Sequence, residues 1–193
     1  MKKMQWIILA VVVVLAGWVW SSYNTLVGLR GGVDLAWSQV QTDLQRRFDL
    51  VPNLQNTVQG AADFEKSTLT DVVNARTKWM SAQSSGNRDA QVEAAHDFQG
   101  ALSRLLVTVE SYPQLTATQG FRDFSVQLEG TENRIATARR DYNQAVMSYN
   151  VAVRTFPRNI VAGLLGFGAA ETFEATPGAE NAPQVEFDFK AAN

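Results

Sequence analysis

A single histidine, His96, and no cysteine bound the chemistry open to this 193-residue chain. Glu93 and His96 have the i, i+3 spacing that di-iron helical bundles use. Such a centre needs a second Glu/His pair and two further carboxylates, which one chain with one histidine does not supply. No metal site is therefore expected, and Glu93 and His96 read as polar residues on a solvated helix face. Gly163-Leu164-Leu165-Gly166-Phe167-Gly168 has the glycine spacing of a phosphate loop but follows a helical pattern and lacks the Lys-Ser/Thr ending. Neither a nucleotide nor any other cofactor is expected. With no thiol, no paired acid and base and no metal cage, the residues give no enzyme.

The remaining polar candidates are recognition groups. Tyr142-Asn143 and Tyr149-Asn150 stand one heptad apart, and Glu132-Asn133-Arg134 precedes them. The tyrosines fall on an apolar seam, so each hydroxyl needs a partner where it emerges. The asparagines could bond across to another helix, as an internal network fixing register or as a partner-binding face. Arg46 and Arg47, two residues before Asp49, read as a salt-bridged helix end, with lipid phosphate as the alternative. In the tail, Val185, Phe187 and Phe189 alternate with Glu186 and Asp188, a pattern suited to adding a strand to a partner's sheet edge.

These groups are carried by helices. Leu128, Ile135, Tyr142, Tyr149 and Phe156 recur every seven residues, and Thr131, Ala138, Ala145 and Ala152 form a small-residue row beside them. This predicts one long helix from about Thr118, whose alanine row admits a close neighbour. Val51, Val58, Val72 and Trp79, interrupted by Glu65, with Leu54, Ala61, Thr68 and Ala75, predict another. Ala95, Phe98, Leu102, Leu105, Val109 and Tyr112 mark a third, and Val33, Trp37, Val40, Leu44 and Phe48 a fourth. Pro52 suits the first turn of a new helix, Ser84-Ser85-Gly86-Asn87 a loop, and Tyr112-Pro113 a break. The expected fold is all-α: an N-terminal transmembrane helix, then an antiparallel up-down four-helix bundle over 24–158 with a reversal near Pro52.

The membrane helix is the plainest element. After Lys2 and Lys3, Met4 to Trp20 holds one polar side chain, Gln5, and as a helix is roughly 26 Å long. Trp6 at one end and Trp18, Trp20 and Tyr23 at the other match two interfacial belts. They favour an uncleaved anchor over 4–23 against a signal peptide cut after Ala16. Lys2 and Lys3 against Arg30 put the tip, 1–3, in the cytoplasm and the body outside the cytoplasmic membrane. An even helix count returns the chain to the bilayer, where uncharged residues 159–170 are expected in the interface. Residues 171–193, with five acids against Lys190, read as a flexible tail. From Ser21 to Ala170 the 14 basic and 14 acidic residues cancel, so nucleic acid is not an expected partner. The expected partners are the lipid bilayer and other membrane proteins or copies of the chain itself.

Several linked segments resemble the LemA family. They are Tyr23-Asn24-Thr25-Leu26-Val27, Ala36-Trp37-Ser38-Gln39-Val40 and Arg46-Arg47-Phe48-Asp49-Leu50-Val51-Pro52-Asn53-Leu54. Glu110-Ser111-Tyr112-Pro113-Gln114-Leu115, Thr131-Glu132-Asn133-Arg134-Ile135-Ala136, the two Tyr-Asn pairs, Phe156-Pro157 and Gly166-Phe167-Gly168 follow in order. The resemblance implies a bacterial single-span membrane protein with a four-helix antiparallel body and no established enzymatic activity. It also implies association with membrane-bound zinc metalloproteases or, in a magnetosome branch, with membrane biogenesis. Gly31-Gly32 departs from the pattern and predicts a hinge between anchor and body.

Overall fold

The structure, a computed structural model, describes residues 2–59, 64 and 66–173. Every secondary-structure element among the described residues is a helix: α1 (Lys2–Phe48), α2 (Val51–Gln59), α3 (Lys66–Ser85), α4 (Arg88–Glu110), α5 (Pro113–Thr116), α6 (Gln119–Arg154) and α7 (Arg158–Leu164). The all-α expectation and the long apolar N-terminal helix hold. Ala61, Glu65 and the proposed docking residues Val185, Phe187 and Phe189 lie outside the described residues.

α1 is 47 residues long, about 70 Å of helix. Its most apolar eighteen-residue stretch is wholly unburied by the described residues. No hinge interrupts it: Gly31 and Gly32 are helical, with open space where a Cβ would stand. The helical hydrogen bonds on either side carry the chain through, because glycine weakens a helix without breaking it.

α1 and α6 run antiparallel in one register. Leu26 clusters with Ala152, the Trp37 and Tyr142 rings lie 5.3 Å apart, and Arg47 pairs with Glu132. The register continues past the end of α1, for a Cβ on Gly120 of α6 would come 2.9 Å from Thr57 Oγ1 of α2. The Asp49–Pro52 segment is therefore a break within one pass along α6, not the expected reversal. Pro52 does sit in the first turn of α2, where its missing N–H is harmless.

α3 and α4 form an antiparallel hairpin. Lys78 Nζ reaches Glu93 and Asp97 at 2.8 and 2.6 Å, and Arg104 meets Asp71 at 4.0 Å. Asn87 caps α4 by accepting from Ala90 N–H, and Gly86 takes a positive φ of 70° in the turn. The hairpin packs on α1 through Phe48, whose ring stacks on Trp79 at 4.3 Å and meets Phe98 edge-on at 4.4 Å. The expected stripes are buried at Val33, Trp37, Val40, Leu44 and Phe48, and at Leu128, Ile135, Tyr142 and Tyr149. Phe156 departs from this. It stands 74% exposed, because α6 ends at Arg154 and the next heptad position is no longer helical.

Because Gly31 and Gly32 are helical and unobstructed, alanine at each is expected to raise stability by about 0.5–1 kcal/mol. Thermal unfolding of detergent-solubilised Gly31→Ala/Gly32→Ala protein checks this. A lower midpoint would mean that the glycines serve bending rather than a straight helix.

Candidate functional site: a Tyr-Asn ladder holding an extended strap

After α6 the chain turns into α7, which packs on α1 through Val161, Ala162, Leu26 and Trp18. α7 ends in a Schellman turn: Phe167 N–H donates to Ala162 C=O at 2.9 Å, and Gly166 supplies the left-handed residue at φ 74°. The turn sends residues 168–173 back along α6 as a strap.

The two Tyr-Asn pairs hold this strap by its backbone. Tyr149 Oη donates to Gly168 C=O at 2.9 Å, and Tyr142 Oη donates to Glu171 C=O at 3.0 Å. Asn150 Nδ2 donates to Ala170 C=O at 2.8 Å, and its Oδ1 accepts from Ala170 N–H at 2.8 Å. Asn143 repeats the pattern on Phe173, at 2.9 and 2.7 Å. Each rung on α6 is seven residues from the next, about 10.5 Å of helix. Each strap contact is three residues from the next, which covers that distance only when the chain is nearly fully extended. Helix heptad and extended triplet are thus commensurate, and the strap runs antiparallel to α6.

The strap ends on an aromatic anchor. Phe173 is buried, with the Arg139 guanidinium 4.3 Å over its ring and the His96 and Trp37 rings at 6.0 and 6.3 Å. Burial holds the His96 pKa below its usual 6.5; Arg139 adds to the effect and Asp97 opposes it. At the other end, the Phe167 ring meets Tyr23 edge-on at 5.9 Å. An open groove bordered by α1, α4, α6 and the strap collects Arg30, Asp34, Arg88, Glu93 and Arg154 at its rim.

Below the strap lies a buried polar layer. Arg47 is almost fully enclosed and donates to Glu132 and to Gln99, with its guanidinium 5.8 Å from the Phe98 ring centre. Burial lowers its pKa, and the Glu132 carboxylate counters that.

Several expected sites fall elsewhere than the residue pattern placed them. Asn143 and Asn150 bond to the strap rather than to another helix, since the facing groups within reach are strap amides. Arg46 and Arg47 do not share a helix-end bridge with Asp49: Arg46 pairs with Asp43 at 3.3 Å, Arg47 turns inward, and Asp49 accepts from Gln45. Asn53, Asn133 and Arg134 are exposed and separate from this cluster. Residues 171–173, expected as the start of a flexible tail, are bound. Glu93 is engaged by Lys78, and among the described residues no group of three or more His, Cys, Asp or Glu could hold a metal ion. His96, expected on a solvated face, is instead half-buried against Phe173, and Trp37 of the expected stripe lines the same pocket. Gln99, Arg139 and Phe173 join the site through the fold alone, and Tyr-Asn repeated at i, i+7 ahead of a Gly/Ala-rich stretch is the available signal for it.

An apolar N-terminal helix long enough to cross a bilayer, carrying helices that clamp an extended strap, defines a membrane-associated all-α protein. The chain belongs to the LemA family, whose description matches residues 36–187. It is 29% identical over 178 residues to magnetosome protein MamQ 2 of Paramagnetospirillum magneticum, covering 80% of this chain and 65% of that protein. It is 25% identical over 189 residues to magnetosome protein MamQ of Magnetospirillum gryphiswaldense, covering 84% and 70%. Protein LemA of Metamycoplasma hominis is 26% identical over 154 residues, covering 79% and 69%. The chain thus spans somewhat under two thirds of the length of the first of these.

Two outcomes follow from the strap geometry. Replacing Asn143 and Asn150 together by alanine removes four bonds, each contributing about 0.5–1.5 kcal/mol. Hydrogen exchange at the Ala170 and Phe173 amides is expected to accelerate at least tenfold while α6 stays protected. Unchanged exchange would rule out the ladder as the strap's tether. The second concerns pH. A lowered His96 pKa means the folded state favours neutral imidazole, so its support is complete above about pH 6.5 and is lost as pH falls below that. Proteolysis of the strap is expected to increase on acidification in the parent and to lose that pH dependence in His96→Asn.

Proposed function

We propose that this is a non-enzymatic adaptor or scaffold, fixed by α1 in the bacterial cytoplasmic membrane with its body on the non-cytoplasmic side. It would engage other membrane proteins, a membrane metalloprotease among them, or further copies of itself. The observation that carries this reading is the ladder. The most elaborate polar geometry among the described residues is directed at peptide backbone, the group a protein-binding protein must recognise.

A second reading is a membrane-organising protein acting on lipid. Ile160, Leu164 and Leu165 are exposed on and just after α7, beside Trp18 at the end of the anchor. Phe156, Trp20 and Tyr23 are also exposed at this end of the body. Such an apolar collar suits insertion into the headgroup boundary.

Native mass of full-length protein, extracted from its own membrane in mild detergent, separates the two. A heteromer with a co-purifying band is expected for the adaptor. A simple multiple of the 21.3 kDa chain, together with deformation of pure-lipid vesicles, would replace it with the organiser. Capture of the partner should survive Ile160→Ser/Leu164→Ser/Leu165→Ser in the adaptor and fail in the organiser.

A further inference from the structure

We infer that the groove occupied by residues 168–173 is a binding site for an extended peptide segment of a partner protein, and that the chain's own strap is a resident occupant that such a segment displaces. This deepens the adaptor reading and rests on it.

The contacts support exchange because of what they ignore. All six ladder bonds end on backbone N–H and C=O groups of the strap, so they are available to any extended chain in this register. Side-chain selectivity enters at one position, the pocket formed by Trp37, His96 and Arg139 around Phe173. An arginine over a ring favours an aromatic there over an aliphatic of equal size. The strap's Gly168 and Ala170 are small, and Glu171 and Thr172 are exposed. Ala170 also packs partly against the core, whereas a side chain at Gly168 would meet open space. The ligand class is therefore an extended segment with an aromatic at the Phe173 position and a small residue three before it.

The resident strap is tethered in a way that permits release. It joins the body through the Gly166 turn and the short α7, and the hydrophobic side chain it buries is that of Phe173. Evicting it exposes two asparagine amides and two tyrosine hydroxyls. An incoming segment restores every bond, so exchange leaves the hydrogen-bond count unchanged.

The test uses full-length protein in detergent and a fluorescent peptide with the sequence of residues 166–173. The parent should bind this peptide at least tenfold more weakly than an Ala170→Pro/Phe173→Ala chain. Those substitutions remove the Ala170 N–H, which one ladder bond uses, and the anchor ring, while leaving the α6 side chains of the ladder unchanged. Adding Asn143→Ala and Asn150→Ala to the opened chain, or replacing the peptide's phenylalanine by alanine, should each cost at least another tenfold. An opened chain that keeps its helix content and hydrogen-exchange protection in α6, yet fails to bind the peptide, would overturn the inference. So would binding indifferent to the asparagines. Either failure leaves the adaptor reading standing on co-purification, because a partner could dock on another face.

Discussion

The antiparallel register of α1 against α6 is the constraint on which the rest depends. Leu26 near Ala152, Trp37 near Tyr142, Arg47 near Glu132 and Thr57 near Gly120 mark steps of ten or eleven residues on one pass and of ten to twelve on the other. Buried Ala138 and Ala152 on α6 remove bulk from the seam, so two helices can run side by side over this length. The consequence is spatial. α6 must finish beside the part of α1 that has just left the apolar segment. α7 therefore packs on Leu26 and Trp18, and the strap starts close to the expected bilayer surface before running away from it along α6.

The strap adds a second constraint that comes from covalent geometry alone. Seven residues of helix and three of extended chain span nearly the same length, so a side-chain pattern repeated every heptad can hold every third residue of a strap. The ladder has two rungs because α6 has two Tyr-Asn pairs. At the next position toward its N-terminus stand Ile135 and Ala136, which offer neither hydroxyl nor amide. At the next position beyond Tyr149-Asn150 stand Phe156 and Pro157, past the end of the helix. The extent of backbone recognition is thus set by four residues, and its end coincides with the aromatic anchor at Phe173.

Much of the fold was legible in the residues because the heptad stripes are strong. The stripes of α1, α4 and α6, the Asn87 and Pro113 boundaries and the apolar N-terminal helix appear where periodicity and turn chemistry placed them, Phe156 apart. The stripe from Val51 to Trp79, expected on one helix, is divided between α2 and α3. The reversal near Pro52 failed because proline at a helix start is equally compatible with a turn and with a break along one line; only the contact with α6 distinguishes them. Gly31-Gly32 misled in the same manner, since weak helix propensity is outweighed by some thirty residues of uninterrupted helix preceding it. The Tyr-Asn pairs were recognised as needing partners, but the partners are main-chain amides of Gly168, Ala170, Glu171 and Phe173. Backbone groups are the same in every sequence, so no residue pattern names them. The tail residues Val185, Phe187 and Phe189 differ again: they alternate with acids, whereas the strap held by the ladder has no alternation.

The buried polar layer explains how one register prevails over its neighbours. A seam of alanines against large apolar residues repeats every seven positions, and apolar contacts alone would tolerate a slip by one heptad. Shifted in that way, Glu132 would face Val40 or Leu54 in place of Arg47, leaving the enclosed guanidinium without its carboxylate. Arg47 is enclosed while Glu132 is partly exposed, so the cost falls on the guanidinium left without its charged partner, on the order of 1–3 kcal/mol. The same slip would draw both Tyr-Asn pairs out of line with the α1 and α4 residues that surround Phe173. The Arg139 guanidinium lies over the Phe173 ring, and its pKa is lowered by burial and by Arg47 while Glu132 opposes this, so the register device and the peptide site share one electrostatic neighbourhood.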